Sequence, residues 1–299
     1  MRKTCGEVLM HINFAEQGST LDEAMSWARA CGYDGVEVRR RDLFGGLTDA
    51  DYLDALCRAF DRSALESVVI GAPGVDLLQK DESSYQREME VALDFYGQAV
   101  RRLPVVAINF LTGELRHPDP SVHLHDWHLH GSALAGEEDW TRLVRRAQSV
   151  AHRYGDLNLP VGVESHMRYV HDTLEATVRF LDQVGSPHIG ATLDAGNILA
   201  MADPPSLPEM LEALAARTTI AHLKNFYRTF HGQVFMSRLR DGDVNHRQLV
   251  GGLLRAGFRG PWVIEAPGAG DRLSWAAEDL RYVLELFAQL GPSGDASGQ

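Results

Sequence analysis

Four residues stand where short apolar runs stop. Glu164 ends VGVE, Asp194 ends GATLD, His222 lies within IAHLKN, and Glu265 ends WVIE, at successive intervals of 30, 28 and 43 residues. Three carboxylates and an imidazole make a mostly hard donor set. Such a set suits an octahedral Mn2+, Mg2+ or Co2+ ion with positions left open for substrate oxygens better than it suits a closed structural zinc site. Any one of the four alone is more simply a strand-end residue in a salt bridge. At matching depth they form a cluster of like charge that is costly without a cation. His166 follows Glu164 by two residues and Lys224 follows His222 by two. In extended chain each shares a face with the residue before it, which points both toward substrate. The plainer reading of Lys224 is a counter-charge for the carboxylates.

For these positions to share one depth, the chain must bring the ends of its apolar runs together. A capping pair, Thr20 and Glu23, starts a helix whose stripe is Leu21, Ala24, Met25 and Ala28. Gly32 ends that helix, and Val36 and Val38 in GVEV alternate as a strand does. The same alternation continues with a helix near Ala50 to Asp61, the strand SVVIGA, a helix from Ser83 to Arg102, and the strand VVAINF after Pro104. A helix carrying Trp140, Leu143, Val144, Ala147, Val150 and Ala151 follows, then the strands PVGVES, HIGATLD, TIAHLKN and PWVIEA with helical patterns between them. A last helix uses Leu273, Leu280, Val283, Leu284 and Phe287. With a first strand near Glu7 to Asn13 there are eight βα units, which predicts an α/β protein with a closed parallel (β/α)8 barrel. One domain is expected over residues 1–290, with a small, polar tail over 291–299. A doubly wound open sheet is the alternative, but no GxGxxG or GxxxxGK(S/T) turn occurs to place its site. In a barrel the carboxyl ends of the strands share one mouth, where all four candidate ligands would lie.

Composition narrows the partners. The 299 residues are 44% hydrophobic and 23% charged, enough for a large core. Their net charge of −12 repels the phosphates of a nucleic acid. Cys5, Cys31 and Cys57 form no CxxC pair, so a reduced, cytoplasmic protein is expected. Glu7 and His11 interrupt any apolar signal-peptide core, and no run reaches the roughly 18 apolar residues of a membrane span. A small-molecule substrate is therefore the expected partner, with self-association left open.

The motifs also carry a resemblance over nearly the whole chain. GYDGVEV resembles the second-strand signature of the sugar phosphate isomerase/epimerase family of xylose isomerase-like TIM barrels, ESHM its ENHG-type fifth-strand motif, and LDAGN its LDxGH-type sixth. HLKN resembles the HxKD type of the seventh strand and DGDVN a GxGxxD-type loop. The resemblance implies metal ligation by Glu164, Asp194, His222 and Glu265, with Glu164 and Glu265 also flanking the substrate as acid and base. It implies substrate contacts from His166, Asn197, Lys224 and Arg228. One divalent ion is expected, Mn2+ foremost, with Mg2+, Co2+ and Zn2+ compatible. The reaction implied is isomerisation or epimerisation of a small ketose, inosose or related polyhydroxy carbonyl compound through an enediolate.

Two departures loosen the substrate assignment. Asn197 stands where the family has His, and Asn225 where it has Asp; each keeps hydrogen bonding and loses a titratable group. A lyase or dehydratase on the same scaffold is the nearest rival. An endonuclease IV-like nuclease would need three zinc ions, yet IGAPG lacks the His and DGDVNH lacks the DxH spacing. A non-catalytic sugar-binding barrel would more readily lose one of the two glutamates. The long segment with His117, His123, His125, His128 and His130 reads as a substrate lid or subunit contact rather than a second metal site. Trp127 within it reads as a sugar-facing wall or a packed anchor. Arg39, Arg40 and Arg41 read as a solvated turn in preference to an anion site.

Overall fold

Apolar residues at alternate positions make strands here, and periodic apolar stripes make the helices that cover them. The computed structural model describes residues 2–12, 20–41, 46–72, 74–265 and 270–291. After a short turn of helix α1 (Arg2–Cys5), the chain forms β1 (Val8–His11), β2 (Gly35–Arg39), β3 (Ser67–Gly71) and β4 (Val105–Phe110). It goes on through β5 (Val161–Glu164), β6 (Ile189–Asp194) and β7 (Thr218–Leu223). A hairpin of β8 (Asn225–Arg228) and β9 (Val234–Ser237) precedes the last barrel strand, β10 (Trp262–Ile264). The eight strands other than β8 and β9 pair in parallel in chain order, and β10 closes on β1 through Val8↔Trp262 to Met10↔Ile264. The expected (β/α)8 barrel is the fold.

Helix α2 (Leu21–Cys31) begins with the Thr20–Glu23 capping box and stops at Gly32, whose φ of +96° is costly for any residue with a Cβ. Helices α3 (Asp49–Ser63), α4 (Glu82–Arg102), α5 (Glu137–Gly155) and α6 (Leu174–Val184) cover the strands that they connect. Two helices, α7 (Ala195–Leu199) and α8 (Leu207–Leu214), follow β6 where a single helical pattern is expected. Helix α9 (His246–Arg255) precedes β10, and α10 (Arg272–Leu290) closes the ring. The first strand is shorter than the expected Glu7 to Asn13, and Asn13 lies outside the described residues. So does the expected tail beyond Gly291. Among the described residues no helix is long and apolar enough to cross a membrane.

The core has two layers. One fills the space between strands and helices. The other is a plug inside the barrel made by Leu9, Val69, Ala107, Ile220 and Val263. Side chains alternate along a strand, so the next inward positions lie two residues on: His11, Gly71, Asn109, His222 and Glu265. Except on β3, where the position is Gly71, the barrel thus changes from apolar to polar in one step along these strands, and the polar layer lies at their carboxyl ends.

The long interval between His222 and Glu265 holds the hairpin. Asn225↔Ser237 to Arg228↔Val234 pair antiparallel, and the turn closes with Thr229 N–H on the Gln233 carbonyl at 2.8 Å. Asn225 folds the rest of this segment. Its amide donates to the carbonyls of Leu239 (2.8 Å) and Val244 (3.1 Å), and its oxygen accepts the N–H groups of Phe226 (2.8 Å) and Val244 (2.9 Å).

Candidate metal centre

Glu164, Asp194, His222 and Glu265 come together in the polar layer. All four are buried, and one ligand atom from each lies within 4.8 Å of the others. Strand register brings this about: Asp194 pairs with His222 across β6 and β7, His222 pairs with Val263 on β10, and Glu265 is the second residue after Val263. Donor atoms on opposite sides of an ion of this type stand about 4.2 Å apart. The cluster therefore fits a divalent cation with little contraction. Buried amide oxygens of Asn109 and Asn197 have no hydrogen-bond partner, which leaves polar capacity beside the cluster.

The two glutamates have different neighbours. Glu164 accepts the Asn109 amide on Oε2 (2.9 Å) and the Asn197 amide on Oε1 (3.2 Å). Glu265 meets His222 Nδ1 at 2.8 Å and Lys224 Nζ at 3.1 Å. Burial works against ionisation of both, but nearby cations outweigh it and hold both below the usual carboxylate range: His222 for Glu164, and Lys224 and His222 for Glu265. Asp194 is pushed up by burial and pulled down by Lys224, whose Nζ is 2.7 Å from Oδ2; the short contact defines an ion pair. Burial opposes the charge on Lys224, and Asp194 and Glu265 together hold its pKa above the ordinary value. Among Glu37, Glu164 and Glu265, the His222 ring is likewise favoured as a cation despite its burial.

The other expected site residues are placed unequally. His166 is partly exposed beside Glu164, donates from Nδ1 to the Met167 carbonyl (3.2 Å), and has its pKa lowered by burial. Asn197 lies within the cluster and also donates to the Ser165 carbonyl at 3.0 Å and Asp194 Oδ2 at 3.0 Å. Arg228 points its NH2 group at the carbonyls of Leu199 and Met201, 2.9 Å from each, and so ties the hairpin to the end of α7.

Three residues in this layer were not singled out from the sequence. Glu37 on β2 contacts His222 Nε2 at 2.8 Å; His11 Nδ1 lies 3.5 Å from Glu37; the Asn109 amide bridges Glu37 (3.1 Å) and Glu164. The signal that marks His11 and Asn109 is their place two residues beyond Leu9 and Ala107, at the same depth as His222 and Glu265.

The histidine-rich segment divides. His130 is buried, accepting the His117 N–H on Nδ1 (2.9 Å) with Nε2 at the His123 carbonyl (3.1 Å), so it holds the loop together. His123, His125 and His128 are exposed, and the cluster at the strand ends is the one group of three or more ligand-type residues found among the described residues. A bridge between Glu114 and Tyr169, an ion pair of Arg168 with Glu114 (2.8 Å) and a Leu115 N–H to the Arg168 carbonyl (2.8 Å) fasten this loop to the segment after β5. Trp127 packs partly buried against the core. The arginine run is a solvated turn only in part, since Arg41 is exposed and Arg40 is not. Arg40 is wholly buried between Asp49 (3.6 Å) and Glu88 (3.9 Å), and Arg41 pairs with Glu88 at 3.1 Å.

Fold and site together define a (β/α)8 barrel with a buried carboxylate and imidazole cluster at its mouth. The family model for xylose isomerase-like TIM barrels matches residues 25–286, and the chain belongs to that family. Among solved structures, it is similar to a xylose isomerase-like TIM barrel protein from Mycobacterium smegmatis in complex with magnesium, at 16% identity over 97% of this chain and 99% of that one, with a TM-score of 0.76. It is similar to the probable 3-DHS dehydratase AsbF of Bacillus anthracis at 16% identity, covering 93% and 98% of the two chains, with a TM-score of 0.72. It is similar to a D-allulose 3-epimerase from Methylomonas sp. at 15% identity, covering 94% and 98%, with a TM-score of 0.69. No curated protein matches the chain by sequence.

Proposed function

We propose that this protein is a divalent-metal-dependent isomerase or epimerase of a small ketose, inosose or related polyhydroxy carbonyl compound. The observation that carries the reading is the pair of buried glutamates, Glu164 and Glu265, set in one cluster with Asp194 and His222. These four would hold the ion, Mn2+ by donor hardness, with Mg2+, Co2+ and Zn2+ also compatible. When bound, the ion polarises a substrate carbonyl and its neighbouring hydroxyl, which acidifies the carbon between them. Glu164, held by two neutral amides, and Glu265, held by two cationic side chains, take and return the proton at that carbon. His166 and Asn197 offer hydrogen bonds to substrate hydroxyls, and Lys224 compensates developing negative charge. Arg228 acts through the loop that it fastens.

The test is product analysis with Mn2+ in deuterium oxide across ketoses and inososes, on wild type, Glu164→Gln and Glu265→Gln. Deuterium at the acidified carbon, with turnover falling far more than substrate affinity in both variants, is the expected result. Full retention of substrate hydrogen would replace proton transfer with a hydride shift. Loss of water from the product would assign the chain to the dehydratases of the same scaffold.

A further inference from the structure

Glu37 has no part in the proton transfers proposed above. Its side chain is sealed from solvent beneath His222 and cannot touch a substrate. A carboxylate buried this deeply is costly unless it is paired on both oxygens. Glu37 is so paired: Oε2 lies 2.8 Å from His222 Nε2, and Oε1 accepts the Asn109 amide at 3.1 Å, with His11 Nδ1 at 3.5 Å. Room for it comes from β3, where a Cβ on Gly71 would stand 2.3 Å from Oε1. The imidazole is therefore held by its two edges. Nε2 faces Glu37 from β2, and Nδ1 faces the cluster, 2.8 Å from Glu265 and 3.7 Å from Glu164.

We infer that Glu37 is a positioning residue for the metal centre, accepting the Nε2–H of His222 so that the Nδ1 lone pair is presented to the ion. This rests on the metal-binding reading of the cluster. A histidine ligand whose second nitrogen donates to a carboxylate has its tautomer and ring orientation fixed, and loss of such a partner weakens metal binding about 10- to 100-fold. The Asn109 amide extends the same support to Glu164, since one nitrogen donates to both glutamates.

The test uses the metal alone as probe. Mn2+ affinity is measured for wild type, Glu37→Gln and Glu37→Asp, each alone and with His222→Ala, and the zinc-loaded wild type is examined by imidazole 15N NMR. The spectrum should show the His222 proton on Nε2. Glu37→Asp keeps the charge and withdraws it from the ring, so affinity should fall about 10-fold or more in both variants. With His222 already removed, the Glu37 substitutions should change affinity less than about 3-fold. Wild-type affinity in Glu37→Asp would overturn the inference, as would equal losses with and without His222, or a proton on Nδ1. Should Glu37→Gln fail to fold, Glu37→Asp decides alone. Failure of the wild type to bind Mn2+ would instead remove the metal reading itself.

Discussion

Asp279 on α10 is a buried carboxyl whose titration can be followed as stability. It is 2% exposed, and Oδ1 accepts the Leu239 N–H at 2.9 Å. Burial raises its pKa from 3.8 to about 7; the Leu239 N–H and Arg238 pull the other way, and Glu278 and Asp241 add repulsion. The folded state therefore favours the neutral acid. The sign follows: relative stability is fully present below the unfolded pKa and is lost as pH rises through the folded one. One proton's difference is worth about 1.4 kcal/mol per pH unit over that window, and the whole shift on the order of 4 kcal/mol. Asp279→Asn keeps an acceptor for Leu239 and removes the charge. Its stability relative to wild type should rise by about 2 kcal/mol between about pH 5 and pH 7 and level off above. Urea unfolding of both proteins at a series of pH values measures this. A difference that stays constant across the series would show that Asp279 ionises in the fold as it does in water, and the burial reasoning would fail.

Two further outcomes follow from the site and its supports. Asn225→Ala strands four buried backbone partners and should cost about 2–4 kcal/mol by urea unfolding, whereas a loss below about 1 kcal/mol would mean that water replaces the amide. Mn2+ at about 100 times its Kd should stabilise the wild type by about 2.7 kcal/mol and leave Asp194→Ala unchanged; an equal shift in both would place the ion elsewhere.

The barrel and the four clustered residues were legible because both rest on local pattern: alternation, caps, and a polar residue at the end of an apolar run. What was missed depends on partners distant in sequence. Arg40 looks like a turn residue until α3 and α4 bring Asp49 and Glu88 to it. Glu37 stands in the GVEV strand as one polar residue between two valines, the pattern of a solvent-facing position, and only barrel closure puts it against His222 on β7. The hairpin escaped because its strands are four residues each, too short for alternation to stand out from a polar loop. His130 could not be told from its neighbours, since what distinguishes it is the backbone of its own loop closing around both ring nitrogens.

Direct pairing of β7 with β10, through Ala221↔Trp262 and Val263↔His222, leaves the hairpin outside the hydrogen-bonded ladder. The segment between them is thus a cassette hung on a finished frame. Its tip carries Phe230, fully exposed, while its base is moored by Asn225 and by Arg228 on the end of α7. Graft sites placed beyond those two moorings would exchange the crown over the mouth without disturbing the register that sets His222 beside Asp194. Loop exchange and strand register are in this way separable along one stretch of chain.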